Sequence, residues 1–338
     1  MKRKYFLRSF VIAVIFFIIS SFYLLPFYVS KPGLAKELEP IIQVEDGYDE
    51  KGSFMLTTIR MGRANIYTYA LAKMSKYQEI HPIEAIRREN ETDEEYNVRQ
   101  LHLMAGSKLN AIETAYKKAN IPIHYRYNGV FVLNVLPEMP ADGKLLPGDR
   151  IFKADQNEFE SSEQFIQYVS GKKAGSKITF TIERENKISD VEIPIEILPE
   201  TGKPGIGIGL VDDKEIEVQP AVSIDSQEIG GPSAGLMFSL EIYNQLVEED
   251  LTKGYEIAGT GTIDSNGIVG RIGGIEQKIV AADKAGAEIF FAPNEGGAAD
   301  SNYQDAVKTA KDIKSKMKIV PVNTFDDAIK YLHSLNKK

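Results

Sequence analysis

The chain has no cysteine and only four histidines in 338 residues. Without thiols there is no cysteine nucleophile, no disulfide framework and no Cys-type zinc site. His81, His102, His124 and His333 stand apart, with no H-x-x-x-H or H-E-x-x-H spacing, so no metal site is expected. No G-x-x-x-x-G-K-[ST] occurs, so this chain brings no P-loop for ATP, and no cofactor is expected. Basic side chains number 40 against 48 acidic ones and form no run after Lys2, Arg3, Lys4 and Arg8. That balance argues against nucleic acid as a partner. With 43% apolar and 26% charged residues the composition is that of a globular protein, long enough for two domains.

What the chain does have begins with a long apolar run. Ser9 to Val29 reads SFVIAVIFFIISSFYLLPFYV, with no charge between Arg8 and Lys31. A helix of about 20 residues at 1.5 Å per residue spans roughly 30 Å, the thickness of a bilayer core. Tyr23 and Tyr28 stand where an interfacial aromatic belt would lie, and the preceding Lys/Arg cluster predicts an N-terminus on the inside. No A-x-A site follows closely, which favours an uncleaved anchor over a signal peptide. The expectation is a single-pass protein of the cytoplasmic membrane: residues 1–30 as basic end and transmembrane anchor, everything after them outside.

Residues 31–120 hold two short strand-like runs, around Ile41–Val44 and Phe54–Ile59, and then a helical region over 63–119. Thr92-Asp93-Glu94-Glu95 has the form of a capping box opening a long helix. No catalytic constellation stands out there. The placement of this region stays open; packing on the last domain would make the intervening module an insertion. From Tyr125 the character changes. Val130–Leu136 is a buried-strand run, Leu146-Pro147-Gly148-Asp149-Arg150-Ile151 a turn entering a second strand, and Ser161–Gln164 a helix cap. Ile178, Phe180 and Ile182 then alternate on one face. Tyr127-Asn128-Gly129-Val130-Phe131 followed by L-P-G-D-R-I and a helix resembles a PDZ domain of the bacterial protease-associated type, over 121–199. That resemblance implies a peptide held as an added strand beside the helix. Asn128, Gly129, Val130 and Phe131 would form the carboxylate-binding loop.

Beyond the linker Thr201–Gly205 the chain mixes strands and helices to Lys338. Residues 231–235 read Gly-Pro-Ser-Ala-Gly, a G-x-S-x-G pattern, and Ser233 needs a base. The one histidine after it, His333, falls on the polar side of the final helix, with Asp326, Lys330 and Lys337. A Ser-His esterase is thereby disfavoured. Lysine serves a serine when burial removes its charge. In the helix from Ile275, positions 275, 278, 279, 282 and 285 form one stripe; four are Ile or Ala, and the fifth is Lys278. The alternative is an amine reaching water from an apolar face.

G-P-S-A-G followed by an I-G-G-x-x-x-K helix resembles the proteolytic domain of the Lon family, over 200–338. The resemblance implies a Ser-Lys dyad of Ser233 and Lys278, with Gly231, Pro232 and Gly235 shaping the turn and the oxyanion-binding backbone. Two departures stand out: Gly230 replaces the usual aspartate before G-P-S-A-G, and Asp264 falls where Lon enzymes commonly have the threonine of G-E-I-T. That leaves Thr260, Thr262 or Asp264 as a partner for Lys278. The whole chain resembles membrane-anchored, PDZ-containing Lon-like serine proteases of bacteria. The fold class expected is α+β multidomain: transmembrane helix, β-rich PDZ domain and α/β Lon-type proteolytic domain. The implied function is ATP-independent endopeptidase action, with PDZ-assisted recognition, on extracellular or membrane-associated peptides or proteins bound in extended form. The alternative from another class is a catalytically inactive PDZ scaffold at the membrane.

Overall fold

The computed structural model describes residues 5–338 except 6, 7, 9, 12–14, 16, 19, 89, 90, 185, 200, 227 and 228. The fold corrects the expectation of a transmembrane helix. Described residues up to Ser21 are helical, but Leu24–Glu37 is a strand, β1. Pro26 cannot sit inside a helix without removing a hydrogen bond. The aromatic and β-branched residues after it suit a sheet instead. Tyr28 and Val29, the end of the supposed membrane span, are buried between two partner strands. No helix among the described residues is long and apolar enough to cross a membrane. The single-pass location at the cytoplasmic membrane, built on that helix, falls with it. Lys2, Arg3, Lys4 and Ser9 lie outside the described residues.

After β1 come β2 (Ile42–Val44) and β3 (Ser53–Asn65). Helix α1 (Ile66–Met74), β4 (Glu79–Pro82) and the long helix α2 (Asp93–Lys118) follow. The helical reading of 63–119 thus misses β4 and the end of β3, whereas the Thr92–Glu95 capping box forms as the sequence suggests. The β-rich module contains β5 (Ile123–Val135), β6 (Arg150–Ala154), α3 (Ser162–Ser170), β7 (Lys177–Arg184) and β8 (Lys187–Pro194). Next are β9 (Ile208–Val218), β10 (Val222–Ile224), α4 (Gly235–Leu246) and β11 (Glu256–Gly259). The chain closes with α5 (Ile275–Ala285), β12 (Ile289–Pro293), α6 (Asn302–Asp312), β13 (Lys318–Val322) and α7 (Phe325–His333).

Two sheets organise these elements. The first runs β13-β12-β11-β3-β1-β4 and therefore draws strands from both sides of the β-rich module. The second runs β9-β5-β6-β7-β8. The cores divide accordingly. Leu38, Phe54, Leu56, Met104 and Tyr116 share one core with Leu236, Phe238, Ile257, Phe291 and Leu332. Burying each such side chain contributes about 1.5–3 kcal/mol, enough to hold the early strands to the late ones. The module keeps its own core of Val130, Val132, Ile151, Phe165, Phe180 and Ile193. It is an insertion in a body assembled from both ends of the chain.

Asp149, from the L-P-G-D-R-I run, ties that module together. Only 1% exposed, it accepts from Arg184 Nε at 2.7 Å, from Arg184 Nη2 at 2.6 Å and from the Leu146 N–H at 2.8 Å. Asp149→Ala leaves these donors short of partners and is expected to destabilise the module by roughly 1–3 kcal/mol. Amide exchange at β7 should accelerate while exchange at β12 stays unchanged; equal effects on both would contradict separate cores.

Candidate active site

Ser233 sits in a tight loop between β10 and α4, and two segments, the turn after β11 and helix α2, fix the backbone there. Its carbonyl accepts from Thr260 Oγ1 at 2.9 Å and from the Gly261 N–H at 3.0 Å. The Pro232 carbonyl accepts from Ser107 Oγ of α2 at 3.1 Å. The Gly231 N–H donates to the Gln100 carbonyl, also on α2, at 3.0 Å. Gly231 has φ +87°, a left-handed conformation that glycine adopts without penalty. Gly235 is required by space: a Cβ there would stand 2.8 Å from Ile263 Cγ2 and 2.9 Å from Ser107 Oγ.

Lys278 reaches the serine from α5. The helix begins after Gly274, whose φ of +71° turns the chain into it. Neighbours Ile275, Ile279 and Ala282 are buried, and Lys278, on the same stripe, is only 2% exposed. Its Nζ donates to the Thr57 carbonyl at 2.6 Å and lies 3.1 Å from Ser233 Oγ. Burial pulls the amine down from its ordinary 10.5 to about 7. Desolvation is the only cause of that shift, since it penalises the ammonium form. A neutral amine has two N–H donors and one lone pair. The first can serve Thr57 while the lone pair faces the Ser233 hydroxyl.

The other expected partners of Lys278 are placed elsewhere. Thr260 holds the Ser233 backbone. Thr262 belongs to a short hairpin, paired with Gly270. Asp264 stabilises that hairpin's turn, accepting from the Asn266 and Ile268 N–H groups at 2.9 and 2.8 Å. His333 is half exposed on α7, 3.3 Å from Glu249, and is not part of the cleft around Ser233. Asn128, Gly129, Val130 and Phe131 lie within β5, where Gly129 faces Asp213 and Phe131 faces Val211 of β9.

Three contributors escaped the sequence reading. Thr57 acts through its carbonyl, a group every residue has, so nothing in its side chain marks it. Gln100 likewise acts through a carbonyl. Ser107 left a trace: it is a polar residue on the stripe of Met104 and Ala111, buried with them. Around Ser233 and Lys278 opens a cleft of about 910 Å³, lined by β3 from Leu56 to Met61, by Tyr96, Gln100 and Met104 of α2, and by the serine loop. Pairing of β11 with β3 ends at Leu56–Gly259. Beyond it, the β3 edge toward the serine has no partner strand in that register among the described residues.

Comparisons with known proteins find a domain of each kind, with the first match beginning inside α2. A family profile for the PDZ domain matches residues 106–195, and one for the Lon protease C-terminal proteolytic domain matches 207–334. A Lon protease from Campylobacter concisus is 37% identical over 101 residues, covering 30% of this chain and 12% of that protein. One from Campylobacter jejuni is 29% identical over 144 residues, covering 40% and 17%. The chain thus spans a small part of these relatives. A solved PDZ domain of an SdrC-like protein from Listeria monocytogenes is 37% identical, with a TM-score of 0.25, covering 25% of this chain and 90% of that one. The chain is a mixed α/β protein that carries a PDZ domain and a Lon-type C-terminal proteolytic domain.

The buried amine makes a prediction about stability. Between pH 7 and 10.5 the unfolded chain holds a proton on Lys278 that the folded protein lacks. Stability from this group therefore rises with pH across that window, and the full penalty is felt below it. Lys278→Met removes the penalty. Its stability relative to the parent, followed by urea denaturation, should be highest below pH 7 and decline toward pH 10.5. A difference that does not vary with pH would contradict a neutral, buried lysine.

Proposed function

We propose that the protein is a serine endopeptidase in which Ser233 is the nucleophile and Lys278 the general base. One observation carries this reading: a lysine that is 2% exposed stands 3.1 Å from the hydroxyl of the serine in G-P-S-A-G. Neutral Lys278 takes the Ser233 proton as Oγ attacks the peptide carbonyl, and the ammonium then protonates the departing amine. Water completes the cycle by the same route, returning the serine. The oxyanion needs N–H donors. Gly231 has given its N–H to Gln100 and Pro232 has none, so within 231–233 the Ser233 N–H is the donor left.

The substrate is a peptide or unfolded protein segment in extended form, lying in the cleft beside β3 between Thr57 and Met61. A strand can add there because β11 stops at Gly259. The PDZ domain presents or selects that substrate. Cleavage is independent of ATP, a reading supported by the lack of a P-loop motif in this chain. An inactive scaffold has no use for a desolvated lysine aimed at a serine, which costs stability at neutral pH.

Ser233→Ala and Lys278→Ala are each expected to lower cleavage of a casein-type unfolded substrate by about 10⁴-fold or more, as for groups that act as a unit. His333→Ala should leave the rate unchanged, and ATP should not alter it. Retained cleavage in Lys278→Ala would exclude the dyad.

A further inference from the structure

The groove of the PDZ domain already contains a strand. β9 runs antiparallel to β5, with Ile208 opposite Val135, Leu210 opposite Val132 and Asp212 opposite Val130. A PDZ domain takes its ligand as a strand added at a sheet edge, its C-terminal end directed to the carboxylate loop. β9 has that direction, heading toward Gly129. On the α3 side, Ile208 and Leu210 pack on the module's core, and Asp212 accepts the Ser162 N–H at the start of α3 at 2.7 Å. On the other side Asp213 pairs with Arg150. The PDZ match ends at residue 195, before this strand begins, so β9 lies outside the matched segment.

We infer that Ile208–Asp212 is an intramolecular ligand of the PDZ groove, and that a peptide binding in trans must displace it. The strand defines what can compete: an extended segment with an aliphatic residue at the place of Leu210 and a carboxylate two residues later. A free C-terminus supplies that carboxylate as well as an Asp side chain does. Displacement bears on the cleft, because β9 leads through β10 to the serine loop. In addition, α2 touches both sites: His102 stacks on Phe131 with ring centroids 5.4 Å apart, and Gln100 and Ser107 hold Gly231 and Pro232. The inference rests on the PDZ assignment and deepens the proposed role in substrate recognition; it does not depend on the dyad.

The test uses the full chain and a fluorescein-labelled peptide of residues 204–212 with a free C-terminus, followed by anisotropy. A tethered strand competes at an effective concentration of order millimolar. Weakening it with Leu210→Asp should therefore tighten peptide binding by ~10-fold or more. Asp212→Ala, which keeps the apolar contacts, should give a smaller gain and serves if Leu210→Asp does not fold. The chain has no cysteine, so Asn134→Cys/Gly209→Cys, at facing positions, can be added to Leu210→Asp as a lock. Oxidation should abolish the gain and reduction restore it. Equal affinity of the parent and the weakened variants would overturn the inference, as would a folded variant that binds no peptide. Peptide capture that obeys these rules without changing proteolysis would leave the occupied groove standing and remove the PDZ role in substrate recognition.

Discussion

The site depends on one buried amine. Lys278 Nζ lies between the Thr57 carbonyl and the Ser233 hydroxyl, with no carboxylate among the described residues to favour its charged form. An ion pair there would hold the proton on the lysine and disable it as a base. A carbonyl partner orients the amine through one N–H and leaves its basicity to be set by burial. The surrounding architecture can be read as what keeps that amine dry and aimed: the apolar stripe of α5, the bend at Gly274 and the crossing of β3 beneath it.

That requirement explains why the body is built from both ends of the chain. The carbonyl comes from β3, the brace of the serine loop from α2, and the serine and lysine from elements after residue 230. The early segments are therefore parts of the Lon-type body and share its core, with the PDZ domain inserted between them. Gly230, where Lon relatives usually have an aspartate, faces α2: a Cβ there would stand 3.0 Å from Gln100 Cβ. The closeness of α2 gives a steric reason for glycine at that position.

Much of the candidate site was legible in the sequence because its proposed chemistry resides in side chains at short-range spacings. Ser233 stood out by its glycines, and Lys278 by being the one charged residue on an apolar helical stripe. The L-P-G-D-R-I run and the Thr92 cap were visible for the same reason. What escaped was carried by backbone or by long-range pairing. Thr57 and Gln100 contribute carbonyls, which no residue type advertises. The run ending at Tyr28-Val29 looked like a bilayer span because hydrophobicity alone does not separate a lipid-facing helix from a buried strand. Pro26 was the local sign, and pairing with β3 and β4 settled it. Asn128–Phe131 read as a loop because β9, which pairs with it, lies some eighty residues later.

The central claim is that a neutral Lys278 activates Ser233. Its most direct measurement is the rate at which a fluorophosphonate phosphonylates Ser233, with loss of fluoride, as a function of pH, read by mass spectrometry of the intact chain. The rate should climb through a midpoint near pH 7, where the buried amine loses its proton, and the pH-dependent component should vanish in Lys278→Ala. A midpoint near the ordinary lysine value of 10.5, or an unchanged profile without Lys278, would contradict the account.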